Sequence, residues 1–450
     1  MNPARVCALA ATCAAAAACP TPLRAQPRDS TTLRDTLATV RIIANRPFAA
    51  GPIESLSPRA LAAGKRTDRL SLAQPATLAL NSTRQAFARA PGVMVWEQDA
   101  GGLQAGVAIR GLSPNRSWEF NTRQNGLDIA ADIAGYPEAY YTPPFEGLER
   151  IELVRGAAAL QYGAQFGGLL NYVTKGPPAG HQLTAESSQL GGSNGLYSTY
   201  SALGGQTGRV GWYVALNHRQ GNGWRQAARF DQHTLLLRTD VHLSPSTRLA
   251  ASLTRMDYRL RQPGGLTDAQ FGDDARQARR TRDWFGAPWL IPTLSLEHWL
   301  DDATALTISA FGLEGQRNSV GAIVAPTVAD APGAPRRVDR DRYANVGTEA
   351  RLVRAMTLGG RPAAIVGGVR ATLGTTTRWR ARGTGGDDFS LDLTAPRTLD
   401  LRFRTTTAAA FTELTLPLAD GVALVPGARL ESIRMRGDGS VSAATGSFDP

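Results

Sequence analysis

Arginine is the residue type in this sequence with the clearest chemical use. The 450-residue chain has 49 basic residues, and only Lys65 and Lys175 among them are not Arg. A planar guanidinium holds a carboxylate or a phosphate through two parallel N–H donors, so clustered Arg side chains would suit an anionic ligand. A genome-wide preference for Arg codons explains the same count and remains an alternative. Because Asp and Glu are interleaved and no basic run alternates with aromatic residues, the net charge of +11 does not indicate nucleic-acid binding.

No residue pattern indicates an enzyme. The sequence contains no nucleophile-elbow, phosphate-loop or zinc-protease motif. Its cysteines are Cys7, Cys13 and Cys19, so a chain cleaved after them has no thiol for catalysis or for disulfides. The five histidines are His181, His218, His233, His242 and His298. No two of them have metal-ligand spacing along the sequence, which predicts no metal site and disfavours haem ligation.

Residues 1–25 have the pattern of a secretory signal peptide. Arg5 supplies a positive charge, an Ala-rich apolar segment extends to Cys19, and a small-residue cleavage site precedes Gln26. A lipoprotein acylated at Cys19 is the alternative. The apolar segment is too short to span a bilayer, and no later run reaches the roughly 18 apolar residues of a membrane helix. We therefore expect an exported protein without helical membrane spans.

The next two regions differ in their local sequence pattern. Residues 26–69 are polar and interrupted by proline, which predicts an extended leader. Residues 70–178 contain short apolar runs between glycines, such as 92–96, 106–110 and 150–154, together with one helical segment at 81–90. Strand-sized runs with one helix predict a small mixed α/β domain.

From residue 179 to residue 450 the side chains alternate with a period of two. Val346 and Leu352 fall on one face of a predicted strand, and Glu349 and Arg351 fall on the other. A soluble β-sandwich produces the same alternation. Tight turns, such as 205–208 and 244–247, alternate regularly with long connections, such as 220–230 and 261–290, and that asymmetry favours an outer-membrane barrel. About eleven strands are expected from His181 onward.

At this point the sequence resembles a TonB-dependent outer-membrane receptor from about Leu37 to the end. The residues that carry the resemblance are 37–43, 91–95, 107–111, Leu148-Glu-Arg-Ile-Glu-Leu-Val-Arg-Gly156, Leu160-Gln-Tyr-Gly163, Gly167-Gly168, Asn171 and 173–175. Within that family, 219–224, 262–265 and 425–431 are most similar to the ferric-dicitrate receptor group.

The resemblance implies a transmembrane antiparallel β-barrel with an N-terminal α/β plug domain inside its lumen. The implied domains are a signal peptide at 1–25, a periplasmic leader at 26–69, a plug at 70–178 and the N-terminal half of a barrel at 179–450. Such receptors close about 22 strands, and a half barrel would leave two unpaired edges in lipid, so we expect a fragment or a truncated gene. Where the family has Asp before a plug glycine, this sequence has Asn125-Gly126, and it is open whether Asp128 compensates.

The resemblance also assigns coupling and structural residues. The segment similar to the TonB-coupling box consists of Leu37, Ala38, Thr39, Val40, Arg41, Ile42 and Ile43; an ordinary first plug strand is the alternative. The residues expected to have structural roles in the plug are Arg110, Gly111, Arg150, Glu152, Arg155, Gly156, Tyr162, Gly163, Gly167 and Gly168. An enclosed charge needs a partner, so Arg110, Arg150, Glu152 and Arg155 are interpreted as plug–barrel ion pairs.

For the ligand, the resemblance points to a ferric complex of a small polycarboxylate such as citrate. An anionic chelate needs converging guanidinium groups above the plug. The candidate ligand-binding residues are Arg116, Arg123, Gln124, Tyr136, Tyr140, Tyr141, Arg317, Arg336, Arg337, Arg378 and Arg380. Hydroxamate siderophores are the main alternative, followed by haem, cobalamin, or a barrel that transports nothing.

The expected setting follows from the same resemblance. The protein would lie in the outer membrane of a Gram-negative bacterium and contact its lipid and lipopolysaccharide. Its partners would be TonB, with the inner-membrane energising complex, and the ferric chelate. No cofactor is expected, because the iron is carried only as part of the ligand, and no nucleic acid is expected as a partner.

Overall fold

The computed structural model describes residues 50–51, 56–62, 65–72, 78, 80–88, 90–97, 99–132, 138–155, 160–163, 167–322, 324–384, 394, 396–420 and 422–442. The predicted signal peptide and the predicted coupling residues 37–43 lie outside these ranges, as do Tyr136 and Gly156. Among the described residues, no helix combines the length and the apolar character needed to cross a membrane.

The N-terminal part of the described chain forms the plug. Its strands are β1 Ala50–Gly51, β2 Leu56–Ser57, β3 Ala60–Leu61, β4 Thr67–Ser71, β5 Val93–Glu97, β6 Ala105–Ile109, β7 Phe120–Gln124, β8 Leu127–Asp128, β9 Leu148–Arg155 and β10 Gly168–Thr174. Helix α1, Thr83–Phe87, and two short 3-10 helices, Asn115–Ser117 and Phe145–Gly147, complete it. The main sheet has the order β1-β4-β9-β10-β7-β8, in which β7 and β10 are parallel. The predicted α/β plug is confirmed.

Strand β9 supplies much of the plug core. Its Ile151 and Leu153 are fully buried and pack with Leu70 of β4 and Leu170 of β10. Burying each such side chain contributes about 1.5–3 kcal/mol relative to leaving it in water. The plug sheet includes β1, which pairs with β4, and β4, which pairs with β9, so residues 50–51 and 67–69 of the predicted leader at 26–69 lie in the plug sheet.

The remaining chain forms one large antiparallel sheet. Its strands are β11 Thr184–Gly192, β12 Leu196–Thr207, β13 Val210–Gly221, β14 Phe230–Ser244, β15 Thr247–Arg261, β16 Trp284–Gly286, β17 Trp289–Asp301, β18 Thr304–Gly321, β19 Arg337–Leu358, β20 Arg361–Arg382, β21 Arg397–Ala419, β22 Val422–Leu424 and β23 Gly427–Val441, with helix α2, Asp268–Asp273, between β15 and β16. Strands β16 and β17 share one position, and so do β22 and β23, so the thirteen strands occupy about eleven positions, as predicted. Within the described residues the sheet forms part of a barrel wall.

Side chains of the barrel sheet alternate between two faces, as the sequence predicted. In β19, Tyr343 and Glu349 are buried on the plug side, whereas Val346 is 56% exposed on the other side. This arrangement is the one expected for a wall with an apolar outer face and a polar, plug-facing inner face.

The two ends of the barrel wall differ in their connections. Tight turns join β12 to β13 and β14 to β15, and we call this end the short-turn end. Long connections, such as 222–229 and 262–283, lie at the opposite end, which we call the long-loop end. The predicted alternation of short and long connections is therefore present.

The plug packs against one face of this wall. Tyr140, Tyr141 and Phe145 of the plug share one buried cluster with Phe285 and Trp289 of the barrel. Ion pairs cross the boundary from Lys65 to Glu413 at 3.0 Å, from Arg370 to Asp128 at 3.3 Å, and between Arg59 and Glu297.

The charged residues predicted to make those crossings pair elsewhere. Arg150 contacts Glu152 at 2.8 Å, and Arg155 pairs with Asp68, so both ion pairs lie inside the plug. Arg110 is exposed in the turn after β6. The prediction of plug–barrel ion pairs was wrong for Arg150 and Arg155. Pairing of β9 with β4 places their acidic partners inside the plug, on β9 itself for Arg150 and on the adjacent β4 for Arg155.

Candidate functional site

The plug meets the barrel wall, in its half toward the long-loop end, through an aromatic cluster. We define this cluster as Tyr140, Tyr258, Phe285, Trp289 and Tyr343. The Tyr140 ring lies 5.8 Å from Phe285, 5.8 Å from Trp289 and 6.5 Å from Tyr343, measured between ring centroids. All five side chains are buried. Offset and edge-on aromatic pairs of this kind add about 0.5–1.5 kcal/mol each beyond their burial, so the cluster fixes the plug apex against the wall.

Arg116 and Glu138 hold Tyr140 in place. The Tyr140 hydroxyl donates to Glu138 Oε2 at 2.5 Å, and Arg116 Nη1 donates to the same oxygen at 3.0 Å. The Arg116 guanidinium also lies over the Tyr140 ring, 5.2 Å from its centroid. The predicted ligand residues Arg116 and Tyr140 are therefore neighbours, and Arg116 is half-buried at the plug apex.

A close backbone crossing positions Arg116. Arg116 has a φ of 49°, in the left-handed region that non-glycine residues rarely adopt. The segment before it crosses strand β6 so closely that a Cβ at Gly106 would lie 1.9 Å from the Pro114 carbonyl oxygen. Ser117 fastens this crossing, since its Oγ accepts the Val107 N–H at 3.0 Å.

Four of the other predicted arginines converge on the barrel wall near the long-loop end. They form two guanidinium clusters, Arg317–Asp341–Arg378 and Arg337–Asp339–Arg380. In the first cluster both guanidinium groups lie 3.2 Å from Asp341; in the second both lie 2.7 Å from Asp339. Each cluster has two positive charges and one negative charge, so each keeps a net positive charge.

Strand register explains these clusters. Asp341 of β19 lies directly opposite Arg317 of β18 and Arg378 of β20, and Asp339 lies opposite Arg380. Directly opposed residues on one face are close enough for side-chain contact. The two aspartates are buried, whereas the side chains of Arg378 and Arg380 keep about a third of their surface exposed, at 37% and 34%. The exposed surface of the clusters is therefore cationic.

The remaining predicted ligand residues lie elsewhere. Arg123 is fully buried inside the plug, where it donates to Asn121 Oδ1 and to the Gly126 carbonyl, both at 2.7 Å. Burial, reinforced by nearby Arg370, lowers the pKa of Arg123 to about 9. Arg123 therefore stabilises the plug through these hydrogen bonds. Its prediction as a ligand-binding arginine is corrected, because the buried side chain is enclosed by plug residues.

Gln124, Tyr141 and Arg336 are also buried. Gln124 donates to Thr254 Oγ1 at 3.0 Å, which joins the plug to the barrel. Burial raises the pKa of Tyr141 well above its usual range. Arg336 donates to the Arg282 and Thr384 carbonyls and so supports a connection at the long-loop end. None of these three residues lies in either guanidinium cluster.

At the short-turn end, Gln161 and Tyr162 of the plug motif have defined structural contacts. Gln161 is fully buried, and its Nε2 donates to the Leu61 carbonyl at 2.7 Å and to Glu413 Oε2 at 2.6 Å. Lys65 reaches the other oxygen of Glu413. The Tyr162 ring lies under two guanidinium groups, Arg123 at 4.9 Å and Arg351 at 5.0 Å. We call Leu61, Lys65, Gln161 and Glu413 the plug latch.

Three of the predicted structural glycines, Gly163, Gly167 and Gly168, follow this motif along the chain. Gly163 and Gly168 have positive φ values, and Gly111 lies in the turn after β6. Gly167 comes so close to another segment that an added Cβ would lie 2.8 Å from the Glu119 carbonyl oxygen.

A cavity of about 530 Å³ lies next to the plug latch, between the plug and the barrel wall. Plug residues of β9 and β10 line one side, and residues of β14, β15 and β17 line the other. Six basic residues and three acidic residues are among its lining residues: Arg59, Lys65, Arg69, Arg150, Arg238, Arg248, Glu149, Glu152 and Glu297. The cavity is thus polar, with an excess of positive charge.

The sequence reasoning missed the partners of its own candidates. Asp339, Asp341 and Tyr343 were not singled out, although Arg337-Val-Asp-Arg-Asp-Arg-Tyr343 shows acidic and aromatic residues at a period of two. That pattern predicts that 337, 339, 341 and 343 share one face. Glu138 carried no recognisable sequence signal.

Known proteins share both parts of this architecture. The family model "TonB-dependent Receptor Plug Domain" matches residues 64–169. The ferrichrome outer membrane transporter/phage receptor of Escherichia coli (strain K12) is 30% identical over 155 residues, which cover 32% of this chain and 20% of that protein. The vitamin B12 transporter BtuB of Photobacterium profundum is 34% identical over 117 residues, covering 26% of this chain and 18% of that protein.

Solved structures extend the similarity to the barrel. The unliganded ferric citrate transporter FecA superimposes with a TM-score of 0.72 at 21% identity, covering 83% of this chain and 57% of that one. The ferripyoverdine receptor of the Pseudomonas aeruginosa outer membrane gives 0.71 at 15% identity, covering 88% and 56%. The chain thus spans little more than half the length of these receptors. Residues 64–169 carry a plug domain of the TonB-dependent receptor type, and plug and sheet together have the fold of those receptors.

Proposed function

We propose that this chain belongs to an outer-membrane receptor for energy-coupled uptake of an anionic ferric chelate, with ferric dicitrate as the first candidate ligand. The observation that carries the proposal is the pair of guanidinium clusters on β18, β19 and β20 near the long-loop end. A ligand entering from that end would meet this cationic wall and the half-buried Arg116 of the plug.

The charge arrangement supports a carboxylate-rich ligand. Asp339 and Asp341 hold the guanidinium groups in fixed positions and neutralise only part of their charge. Fixed guanidinium groups lose little side-chain freedom when a carboxylate binds, and charge-assisted hydrogen bonds to carboxylates are about twice as strong as neutral ones. The similar proteins named above have different ligands in their names, so the ligand is inferred from the wall itself.

A ferric hydroxamate is the second candidate, because the ferrichrome transporter matches the chain and because aromatic residues lie near the plug apex. Such a ligand would suit an open aromatic cup. The aromatic cluster is buried between plug and barrel, with Tyr140 and Tyr343 each 1% exposed, so it does not form such a cup. This burial favours the anionic chelate.

The proposed setting includes a signal peptide at 1–25, a location in the outer membrane, and TonB with its inner-membrane energising complex as the partner. The coupling segment would be 37–43. This segment precedes the plug latch along the chain, and the latch lies at the short-turn end, where a periplasmic partner would be met.

Binding assays with the full chain in detergent test the ligand. We expect tight binding of ferric dicitrate, and we expect Arg378→Gln and Arg380→Gln each to weaken it about ten- to hundredfold, as loss of one or two charge-assisted hydrogen bonds implies. Arg342→Gln is the matched control, because Arg342 lies on β19 but is exposed on the opposite face. Tight binding of a ferric hydroxamate, unaffected by both cluster variants, would overturn the proposal in favour of the second candidate.

A further inference from the structure

Two histidines and an aspartate meet on strands β13 and β14. His218 and His233 lie directly opposite each other in the strand register, and their rings stack with centroids 4.3 Å apart at an angle of 8°. The Asp231 carboxylate reaches both rings. Its Oδ2 lies 3.2 Å from His218 Nε2, and its Oδ1 lies 3.0 Å from His233 Nε2.

This group lies on the face of the wall that points away from the plug. Arg219, the residue after His218, donates to the Gly101 carbonyl of the plug at 2.7 Å. Because successive side chains of a strand point to opposite faces, His218 points outward, as does Leu216, which is 56% exposed. The group lies near the long-loop end, just before and after the connection 222–229. It is therefore separate from the guanidinium clusters, which face inward.

We propose that His218, Asp231 and His233 form a binding site for a divalent transition-metal ion such as Zn²⁺. One potential ligand atom from each residue lies within 4.8 Å of the other two. Tetrahedral Zn²⁺ with bonds of about 2.0–2.1 Å places its ligand atoms about 3.3 Å apart. The two His–Asp separations, 3.2 Å from His218 to Oδ2 and 3.0 Å from His233 to Oδ1, are close to this value. Rotation of the carboxylate and imidazole groups would place one ligand atom from each residue around a single ion.

The ligand types select the class of ion. Two imidazole nitrogens and one carboxylate oxygen suit Zn²⁺, Cu²⁺ or Ni²⁺, whereas Mg²⁺ and Ca²⁺ prefer oxygen ligands throughout. The side chains are between 30% and 63% exposed, so an ion could enter from solvent and keep an external fourth ligand. A bound ion would tie β13 to β14 at the base of the connection 222–229.

The sequence pattern contained no sign of this site, because the two histidines are far apart along the chain. Only the pairing of β13 with β14 makes them neighbours. Hydrogen bonds from two imidazoles to one carboxylate would produce a similar arrangement without an ion, and the experiment below separates the two cases.

Calorimetric titration of the full chain in detergent with Zn²⁺ tests the proposal. Where the predicted signal peptide is retained, Cys7, Cys13 and Cys19 are replaced by Ser, because thiolates also bind Zn²⁺. We expect one site, and we expect His233→Gln and Asp231→Asn to weaken binding by at least about tenfold, since even residues behind a metal ligand change affinity by that factor. His242→Gln is the matched control, because His242 is an exposed histidine of the same strand.

Two further measurements make the result independent of folding defects. Co²⁺ should give the visible absorption of a tetrahedral site with nitrogen and oxygen ligands, and His233→Gln should abolish it. Zn²⁺ should raise the unfolding temperature of the parent chain and not that of the variant, because an ion that binds only the folded state stabilises it. The proposal is overturned if the parent shows no Zn²⁺ site, or if His242→Gln weakens binding as much as His233→Gln. Equal binding of Mg²⁺ would contradict the assignment of the ion class.

Discussion

Arg116 and Tyr140 depend on one glycine for their position at the plug apex. A Cβ at position 106 would lie 1.9 Å from the Pro114 carbonyl, in a backbone crossing that has no flexible side chain to move aside. We expect Gly106→Ala to destabilise the plug by about 1–3 kcal/mol or more, the usual cost of overpacking, and to weaken ligand binding through displacement of Arg116. Denaturant unfolding and ligand titration measure the two effects.

Gly191→Ala is the control for this prediction. Gly191 lies in a barrel strand, and an added Cβ there meets nothing within 4 Å. If Gly106→Ala has the same stability and the same ligand affinity as Gly191→Ala, the backbone crossing at Gly106 is not rigid.

Asp283 predicts a pH dependence in the connection between β15 and β16. Its carboxylate accepts the Ala322 N–H at 3.2 Å. Burial, together with the nearby Asp330, raises the pKa of Asp283 to about 6. The hydrogen bond from Ala322 and the charges of Arg280 and Arg336 lower this pKa but do not outweigh the burial. Because the folded state binds the Asp283 proton more tightly than the unfolded state does, protonation of Asp283 stabilises the folded state. This contribution to the free energy of unfolding is complete below the ordinary pKa near 3.8 and is lost as the pH rises through about 6.

The Asn variant makes that prediction measurable. Because Asp283→Asn cannot ionise, we expect the variant to gain stability relative to the parent chain as the pH rises from about 4 to about 7, which unfolding at several pH values would detect. Asp273→Asn, in the exposed helix α2, is the control for general charge effects. A stability difference between parent and Asp283→Asn that does not vary with pH would contradict the raised pKa.

At the scale of strands and helices, the sequence predicted what depends on local pattern. The alternation around Val346 and Glu349 correctly assigned the two faces of β19, and the glycine-punctuated runs correctly indicated a plug with short strands. Cross-strand partners were not predictable, because a shift of one residue in register exchanges the faces and changes every pair. His218 with His233 and Asp339 with Arg380 are pairs of this kind.

Burial was equally inaccessible to sequence reasoning. Arg123 and Arg380 look alike as isolated arginines, yet one is enclosed by plug backbone carbonyls and the other is partly exposed on the barrel wall. One of the carbonyls that enclose Arg123 belongs to Tyr162, 39 residues further along the chain, so this burial depends on a contact between segments distant in sequence.

The plug latch connects the first plug strands to the barrel. Glu413 of β21 accepts hydrogen bonds from Lys65 and Gln161, and Gln161 in turn holds Leu61 of β3. We expect Glu413→Gln to loosen hairpin β2–β3 by about 1–3 kcal/mol, since it leaves the Lys65 charge without its partner. Hydrogen exchange of the Leu61 amide, which donates to Gln161 Oε1 at 3.2 Å, reports the opening.

Asp420→Asn is the control for the latch. Asp420 pairs with Arg361 at the short-turn end, but its side chain is 96% exposed, and such surface pairs contribute little. If Leu61 exchanges equally fast in the parent chain and in Glu413→Gln, the hairpin is held by other contacts.

For the whole molecule, two of the groups of plug–barrel contacts lie at opposite ends of the plug. The aromatic cluster and Arg116 hold the apex near the proposed ligand wall, and the plug latch holds the opposite side of the plug. A chain pulled from residues 37–43 would load the latch before the apex, because the latch residues Leu61 and Lys65 precede Arg116 and Tyr140 along the sequence. Ligand binding and coupling should therefore be separable by mutation.

Replacing Leu37 or Val40 by proline tests this separation. A coupling segment that adds a strand to a partner relies on main-chain hydrogen bonds, and proline removes one donor. We expect ligand binding by intact cells to stay at the parent level while energy-dependent uptake of the labelled chelate stops. Val40→Ala keeps the donor and should support uptake, because strand addition depends mainly on the backbone. Loss of binding together with uptake in the proline variants would mean that 37–43 forms part of the plug structure and is not a coupling segment.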